Sequence, residues 1–408
     1  MSTRPSPPAP VAPAPEAAPP GPVSDEESRR RLREVVALFL RLGLTSIGGP
    51  AAHIAAMERE VVQRRAWLSR EEFLDLLGAT NLIPGPNSTE MAIHLGFLRA
   101  GWPGLLAAGA CFIVPAALIT CALAAVYLRY GALPSVQPLL TGMQAAVVAA
   151  VFLAVWSLGR SALRGIGPWA LAAAATGAGL AGVPELLVVA LGGLLGALAH
   201  ALKRRAARGA VAGLVVLGGW SGPSLAATLA AKAAAPTLGG LFWFFLKVGS
   251  VIYGSGYVLV AFLEGGLVRE RGWLTAGQLL NAVAAGQVTP GPVFTTATFV
   301  GYLLHGPAGA AVATAGIFLP SFLLVALLSR ILGWLRRSPI MRGFLDGLSS
   351  SSLGVMTAVG LQLLWAARGS RAALGIAAAA LGVGIVARGR ISPTWLVLGG
   401  GLLGLLLC

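Results

Sequence analysis

The stretch "NLIPGPNSTEMAIHLGFL", Asn81–Leu98, is apolar at both ends but carries Pro-Gly-Pro, Asn, Glu and His in its middle. Pro84 and Pro86 lack an amide hydrogen and fix φ, so a helix arriving from Phe73 is expected to stop near Ile83 and restart near Asn87. The segment reads as two half-helices. Sliding the chain by 206 residues lays "QVTPGPVFTTATFVGYLL", Gln287–Leu304, over it, and residues 38–92 then pair with 244–298 without a gap. Sixteen of those 55 positions are identical, among them Phe39/Phe245, Gly43/Gly249, Gly48/Gly254, Glu58/Glu264, Arg65/Arg271, Trp67/Trp273 and the two Pro-Gly-Pro runs. About four or five identities are expected for unrelated segments this rich in Gly, Ala and Leu. One deletion later the register becomes 205, pairing Gly101/Gly306, Gly104/Gly309, Pro115/Pro320 and Gly142/Gly347. The chain is an internal duplication.

Composition says what kind of molecule is duplicated. Of 408 residues, 56% are hydrophobic, 11% are charged and 55 are Gly, which is far from a soluble domain. Apolar runs recur at 105–128, 139–158, 308–332, 343–366 and 395–407, and about 20 residues suffice to span a bilayer. The formal charge of +15 raises nucleic acid as a partner. That partner is excluded, because the basic residues sit in short loops between apolar runs and form no stripe interleaved with aromatics. Cys111, Cys121 and Cys408 show no C-x-x-C spacing, so neither a disulfide nor a zinc site is expected, and no cofactor is called for. No G-x-x-x-x-G-K-[ST] run supports direct ATP drive.

These patterns divide the chain into four parts. Residues 1–33 hold a Pro/Ala-rich stretch, "MSTRPSPPAPVAPAPEAAPPGP", with nine of the 26 prolines, expected to be a disordered cytoplasmic tail rather than a signal peptide. Ser24 is the expected N-cap of the helix that follows, with Glu27 at the capping-box position. A first repeat covers 34–201, a linker 202–237 with an extra crossing at 209–231, and a second repeat 238–408. Each half shows six apolar segments, two broken and four plainer. Six plus one plus six inverts the second half, and the loop arginines mostly fall on one side under that count. The expected fold is an all-α polytopic integral membrane protein of two homologous six-segment halves, an inverted-topology repeat with broken or re-entrant helices.

Broken helices in corresponding positions of two halves point to a binding site near the bilayer midplane. A half-helix starting after Pro84-Gly85-Pro86 exposes unpaired amides and its positive dipole end, which suits an anion. Asn87 and Ser88 open that half-helix, and Pro290, Gly291, Pro292 and Thr295 are the counterparts. Gly48-Gly49 and Gly254 interrupt the preceding segment of each half, with His53 just beyond the first break. Close helix packing is the competing reading of those glycines. Arg41 and Lys247 are equivalent cations two turns earlier, set either to hold a dianion or to snorkel to the interface. Glu90 and His94 share a helix face at i,i+4, set either to carry protons beside an anion site or to form a solvated helix end near Arg99.

The segment "FLRLGLTSIGGPAAHIAAMEREVVQRRAWLSREEFLDLLGATNLIPGPNSTEMAIHLGFLRAGWPG" resembles the first domain of the chromate ion transporter family. The segment "FFLKVGSVIYGSGYVLVAFLEGGLVRERGWLTAGQLLNAVAAGQVTPGPVFTTATFVGYLLHGPAG" resembles its partner. The likeness covers 34–408, and the tandem arrangement is that of the long-chain members. It implies a multi-pass carrier of the bacterial inner membrane that exports chromate and confers resistance, with sulfate as isosteric competitor. Membrane lipids surround it, and a homodimer is open. The second half departs from the first at Gly-Ser-Gly for Gly-Gly-Pro and at Phe294 for Ser88, so symmetric use of both halves is not implied. Residue chemistry alone reaches a secondary carrier of an oxyanion. Two other readings are a sulfate or small-oxyanion uptake carrier and a membrane-embedded enzyme acting on a phosphorylated lipid. The enzyme lacks support, since no H-E-x-x-H or acidic metal cluster is present.

Overall fold

In a computed structural model, residues 24–163, 165–206, 235–253, 256–337, 339–387 and 391–408 are described. The expectations for the tail at 1–22, the crossing at 209–231 and Gly254 lie outside them. The first half runs α1 (Asp25–Thr45), α2 (Gly49–Glu58), a π-helical segment (Arg59–Arg64), α3 (Arg70–Thr80), α4 (Asn87–Tyr130), α5 (Gln137–Ala162), α6 (Ile166–Leu180) and α7 (Glu185–Ala206). The second half repeats this as α8 (Leu238–Val251), α9 (Val258–Leu263), a π-helical segment (Glu264–Glu270), α10 (Ala276–Val288), a 3-10 turn (Val293–Thr295), α11 (Thr296–Arg337), α12 (Pro339–Ala366), α13 (Arg371–Val386) and α14 (Pro393–Leu407). No strand occurs among the described residues. Long apolar helices without strands make this an all-α polytopic membrane protein.

Local chemistry repeats as faithfully as the element order. Ser69 caps α3 by accepting from the Glu72 amide at 3.2 Å, while the Glu72 carboxylate accepts from the Ser69 amide at 2.7 Å. Thr275 and Gln278 build the same box on α10, 206 residues on, at 3.2 and 2.9 Å. Ser24 caps α1 as its sequence suggests, its hydroxyl accepting from the Glu27 amide at 3.3 Å. Helix α3 stops at Thr80, a few residues before the expected Ile83, and the chain turns through 81–86 before α4 begins at Asn87. The two prolines act together here, since each biases the residue before it away from the helical region.

Helix α4 is folded back on itself. Ala100 (φ −138°) and Gly101 (φ +62°) leave the helical region, as do His305 (φ −144°) and Gly306 (φ +59°) in α11. Gly96 then lies against Gly104, and Gly301 against Gly309, with no side chain to hold the arms apart. The hydroxyls of Thr298 and Thr314 meet across the second hairpin at 2.7 Å. The short arm, residues 87–99, is about 20 Å long at 1.5 Å per residue. Neither it nor α3 spans a hydrocarbon core of about 30 Å. Together they form a re-entrant hairpin with Pro-Gly-Pro at its tip.

The halves are inverted. Helices α5 and α12 correspond in the repeat, and Gly159 packs on Leu353 while Phe152 packs on Gly360, so rising numbers in one meet falling numbers in the other. Each half also lends its last two helices to its partner: α7 lies along α12 through Gly192, Gly196, Gly343 and Gly347, and α14 along α5 through Gly142, Gly400 and Gly404. Glycine-on-glycine contact lets backbones approach closely, which is where helix association gains energy when lipid is as apolar as leucine. The long arms of α4 and α11 meet at the centre, each packed on its own α1 or α8.

Candidate functional site

The two Pro-Gly-Pro tips are tied into the helix breaks of the opposite half. The Gly85 amide donates to the Ile252 carbonyl at 2.7 Å, and the Gly291 amide donates to the Ser46 carbonyl at 2.9 Å. These are equivalent bonds, since 85 and 291, and 46 and 252, differ by 206. Ser46 and Ile252 cap the ends of α1 and α8. Gly85 (φ +139°) and Gly291 (φ +89°) occupy left-handed backbone, and a Cβ on Gly291 would stand 2.8 Å from the Ala116 Cβ and 3.2 Å from the Gly43 carbonyl. Each loop therefore inserts where only a glycine fits.

Behind the tips, the helix starts are unfinished. Pro86 and Pro292 are the caps of the half-helices, and neither has a side chain that can accept a hydrogen bond. The amides of Thr89 and Glu90 bond the Pro86 carbonyl, and that of Thr295 bonds the Pro292 carbonyl. Among the described residues, the amides of Asn87, Ser88, Val293 and Phe294 have no such partner. Ser88, Val293 and Phe294 are buried. Buried, unmatched N–H groups at a helix start are costly to leave alone and favour an anion.

Side chains from several elements close this junction. His53 in α2 is 1% exposed, and its Nε2 donates to the Ser46 carbonyl at 3.2 Å while Nδ1 faces the Ser88 hydroxyl at 3.4 Å. A carbonyl only accepts, so Nε2 carries the hydrogen, and in a neutral ring Nδ1 accepts a hydrogen bond from the Ser88 hydroxyl. The Phe112 ring packs edge-on against it at 5.5 Å. From the long arm of α4, Thr120 reaches the hydroxyls of Thr289 (3.3 Å) and Thr295 (3.2 Å) in the second half. Tyr253 donates from the α8 break to the Asn81 carbonyl at 2.5 Å, and Asn87 donates to the Asn81 side chain at 2.5 Å.

Of the residues singled out by sequence, Gly48, Gly49, His53, Pro84, Gly85, Pro86, Asn87, Ser88, Pro290, Gly291, Pro292 and Thr295 gather at the two tips and the breaks they touch, and Glu90 and His94 lie buried on the short arm of α4. The two cations stand apart. Arg41 is bonded to Glu60 at 2.6 Å with its side chain 47% exposed, and Glu60 also holds Arg64 at 2.7 Å and Arg65 at 3.5 Å. Burial works against the Glu60 charge, but Arg41 and Arg64 outweigh it and hold the carboxyl below its ordinary value. Lys247 lines an open cavity with Thr237, Trp243, Phe244, Arg271 and Trp273. The repeat accounts for the difference: the counterpart of Glu60 is Gly266, so no acid stands at the equivalent position for Lys247.

Sequence reasoning missed Ser46, Thr120, Tyr253, Thr289 and Ser321. Thr120 and Ser321 are single hydroxyls within apolar runs, a pattern that ordinarily means bonding within the helix. Tyr253 had a usable signal, since it replaces Ile47 at the equivalent break.

Comparison with known proteins adds a family to this geometry. The family profile described as "Chromate transporter" matches twice, over residues 33–197 and 239–405. A chromate transport protein of Pseudomonas aeruginosa is 32% identical over 337 residues, covering 81% of this chain and 80% of the relative. A probable chromate transport protein of Synechococcus elongatus is 31% identical over 339 residues, 80% of this chain and 82% of its own. An uncharacterized transporter of Bacillus subtilis, 31% identical over 158 residues, covers 37% of this chain but 88% of its own length, as a single repeat does. No solved structure matches the chain.

Proposed function

As the chain belongs to the chromate transporter family, we propose that it exports chromate through the bacterial inner membrane, as a secondary carrier rather than an enzyme, and that sulfate competes for the same site. The observation that carries this reading is the pair of glycine-to-carbonyl bonds between the halves, which brings two helix starts with unmatched amides to one junction. A tetrahedral dianion takes hydrogen bonds from the Asn87 and Ser88 amides on one side and those of Val293 and Phe294 on the other, with Thr295 and the Ser88 hydroxyl beside them. Because the two tips belong to inverted halves, rocking one half against the other exposes the junction to alternate sides. An inside-negative potential favours outward movement of a dianion by about 2.3 kcal/mol per charge per 100 mV.

Vesicles of defined orientation test this. Inside-out vesicles should accumulate labelled chromate when energised, and unlabelled sulfate should reduce the rate. Accumulation confined to right-side-out vesicles would make the protein an uptake carrier. A carrier indifferent to sulfate would not read the oxyanion through shape and charge alone.

A further inference from the structure

We propose that Glu90 is the binding site of a coupling proton, closed by both halves of the molecule; the coupling role rests on the transport reading above. Glu90 is fully buried, and neither carboxylate oxygen has a hydrogen-bond partner. One of those oxygens flanks Gly85, at the space a Cβ would fill. Ser321, from the long arm of α11 in the other half, brings its hydroxyl to the same glycine, within 3.0 Å of that Cβ position. It too is fully buried and unpartnered. A carboxyl and a hydroxyl from opposite halves therefore share one buried space at a Pro-Gly-Pro tip, and Gly85 makes room for them by having no side chain.

The chemistry selects a proton. An ionised carboxylate buried without a partner is strongly disfavoured even after relaxation, whereas the neutral acid is tolerated far better. In this closed arrangement Glu90 is a neutral carboxylic acid. The titratable groups around it do not replace the proton. His94 lies one turn along the same helix with its Nδ1 unpartnered, His53 of α2 is bonded to Ser46 and faces Ser88, and Tyr253 beyond α8 is bonded to Asn81. Tyr253 lies within electrostatic reach of both Glu90 and Asp346 of α12. None of them is a cation paired with Glu90, and no group of three or more His, Cys, Asp or Glu suited to a metal occurs among the described residues. When the halves separate, water reaches the space and solvates the carboxylate, so the proton leaves; when they close, Glu90 must take one up. Ser321 makes the site depend on the relation between the halves, which is what coupling to alternating access requires.

The test uses Glu90→Gln in the full-length protein reconstituted into vesicles, with three readouts. Chromate–chromate exchange at equal pH should survive, because it needs no net proton movement. Net chromate movement driven by a pH difference should be lost. In infrared spectra recorded against pH, the parent should show a titrating carboxylic acid band that Glu90→Gln removes, with or without chromate. Glu90→Asp should keep the response to a pH difference, with its pH profile displaced, which guards against a merely misfolded Gln variant. A Glu90→Gln protein that responds to a pH difference as the parent does, or a parent without that infrared band, overturns the proposal. If the parent exchanges neither chromate nor sulfate, the transport reading fails separately, and the infrared band still decides whether Glu90 holds a proton.

Discussion

At the scale of single residues, glycine decides whether the halves can meet. Gly291 has φ +89°, sits against Ala116 and Gly43, and donates to Ser46 across the interface. Gly291→Ala places a Cβ in left-handed backbone at a cost of about 1–2 kcal/mol, before the collision with Ala116 is counted. We expect the variant to melt lower in detergent and to lose transport, and Ala116→Gly in the same chain should restore part of both by relieving the collision. The motif that holds Gly291 was plain in the sequence, while its left-handed backbone was seen only in the structure. Its partner was not: Ser46 takes part through a backbone carbonyl, which any residue supplies, so no side-chain pattern could mark it. His53 was visible as a candidate just beyond a break, but its bond to Ser46 depends on α2 turning back over the end of α1.

At the scale of elements, equivalent caps should have equivalent worth. Ser69 and Thr275 start α3 and α10 with the same two-way hydrogen bonding. Ser69→Ala and Thr275→Ala should each cost about 1 kcal/mol, the usual value of an N-cap, read as a fall in melting temperature of the purified protein. Because these helices carry the Pro-Gly-Pro tips, the same variants should weaken transport in step with stability. The re-entrant character of the pair was only half legible. Pro84 and Pro86 announced the end of one helix and the start of another. The fold-back at Ala100–Gly101 went unread, since Gly-Trp-Pro-Gly after an arginine resembles an ordinary helix interruption. Only the contact of Gly96 with Gly104 reveals an antiparallel hairpin there.

At the scale of the whole molecule, helix directions fix on which face each half begins and ends. Glu34 bonds Arg99 at 2.6 Å and Gly43 packs on Phe112, so α1 runs parallel to the long arm of α4. Helix α5 returns antiparallel to that arm through the short turn at 131–136. Helices α7 and α5 both run antiparallel to α12, so α7 ends on the side where α1 begins. Inversion places the start of α8 on the other side. Reporters fused after Arg208 and after Ala235 should therefore report opposite faces. The same face for both would contradict the antiparallel packing of α5 on α12.

The sequence by itself determined the membrane class, the duplication and the residue types at the tips, because hydropathy, a 206-residue shift and Pro-Gly-Pro are all local or periodic signals. It also placed Arg41 and Lys247 at equivalent positions, yet gave them one role between them. Tertiary structure separated the two, because an ion pair is decided by what lies opposite: Glu60 faces Arg41, whereas the position equivalent to Glu60 in the second half is Gly266. The meeting of each tip with the other half's break was likewise decided only in three dimensions. Residues 85 and 252 are far apart in the chain, and a two-fold relation between inverted halves is what brings an amide of one to a carbonyl of the other.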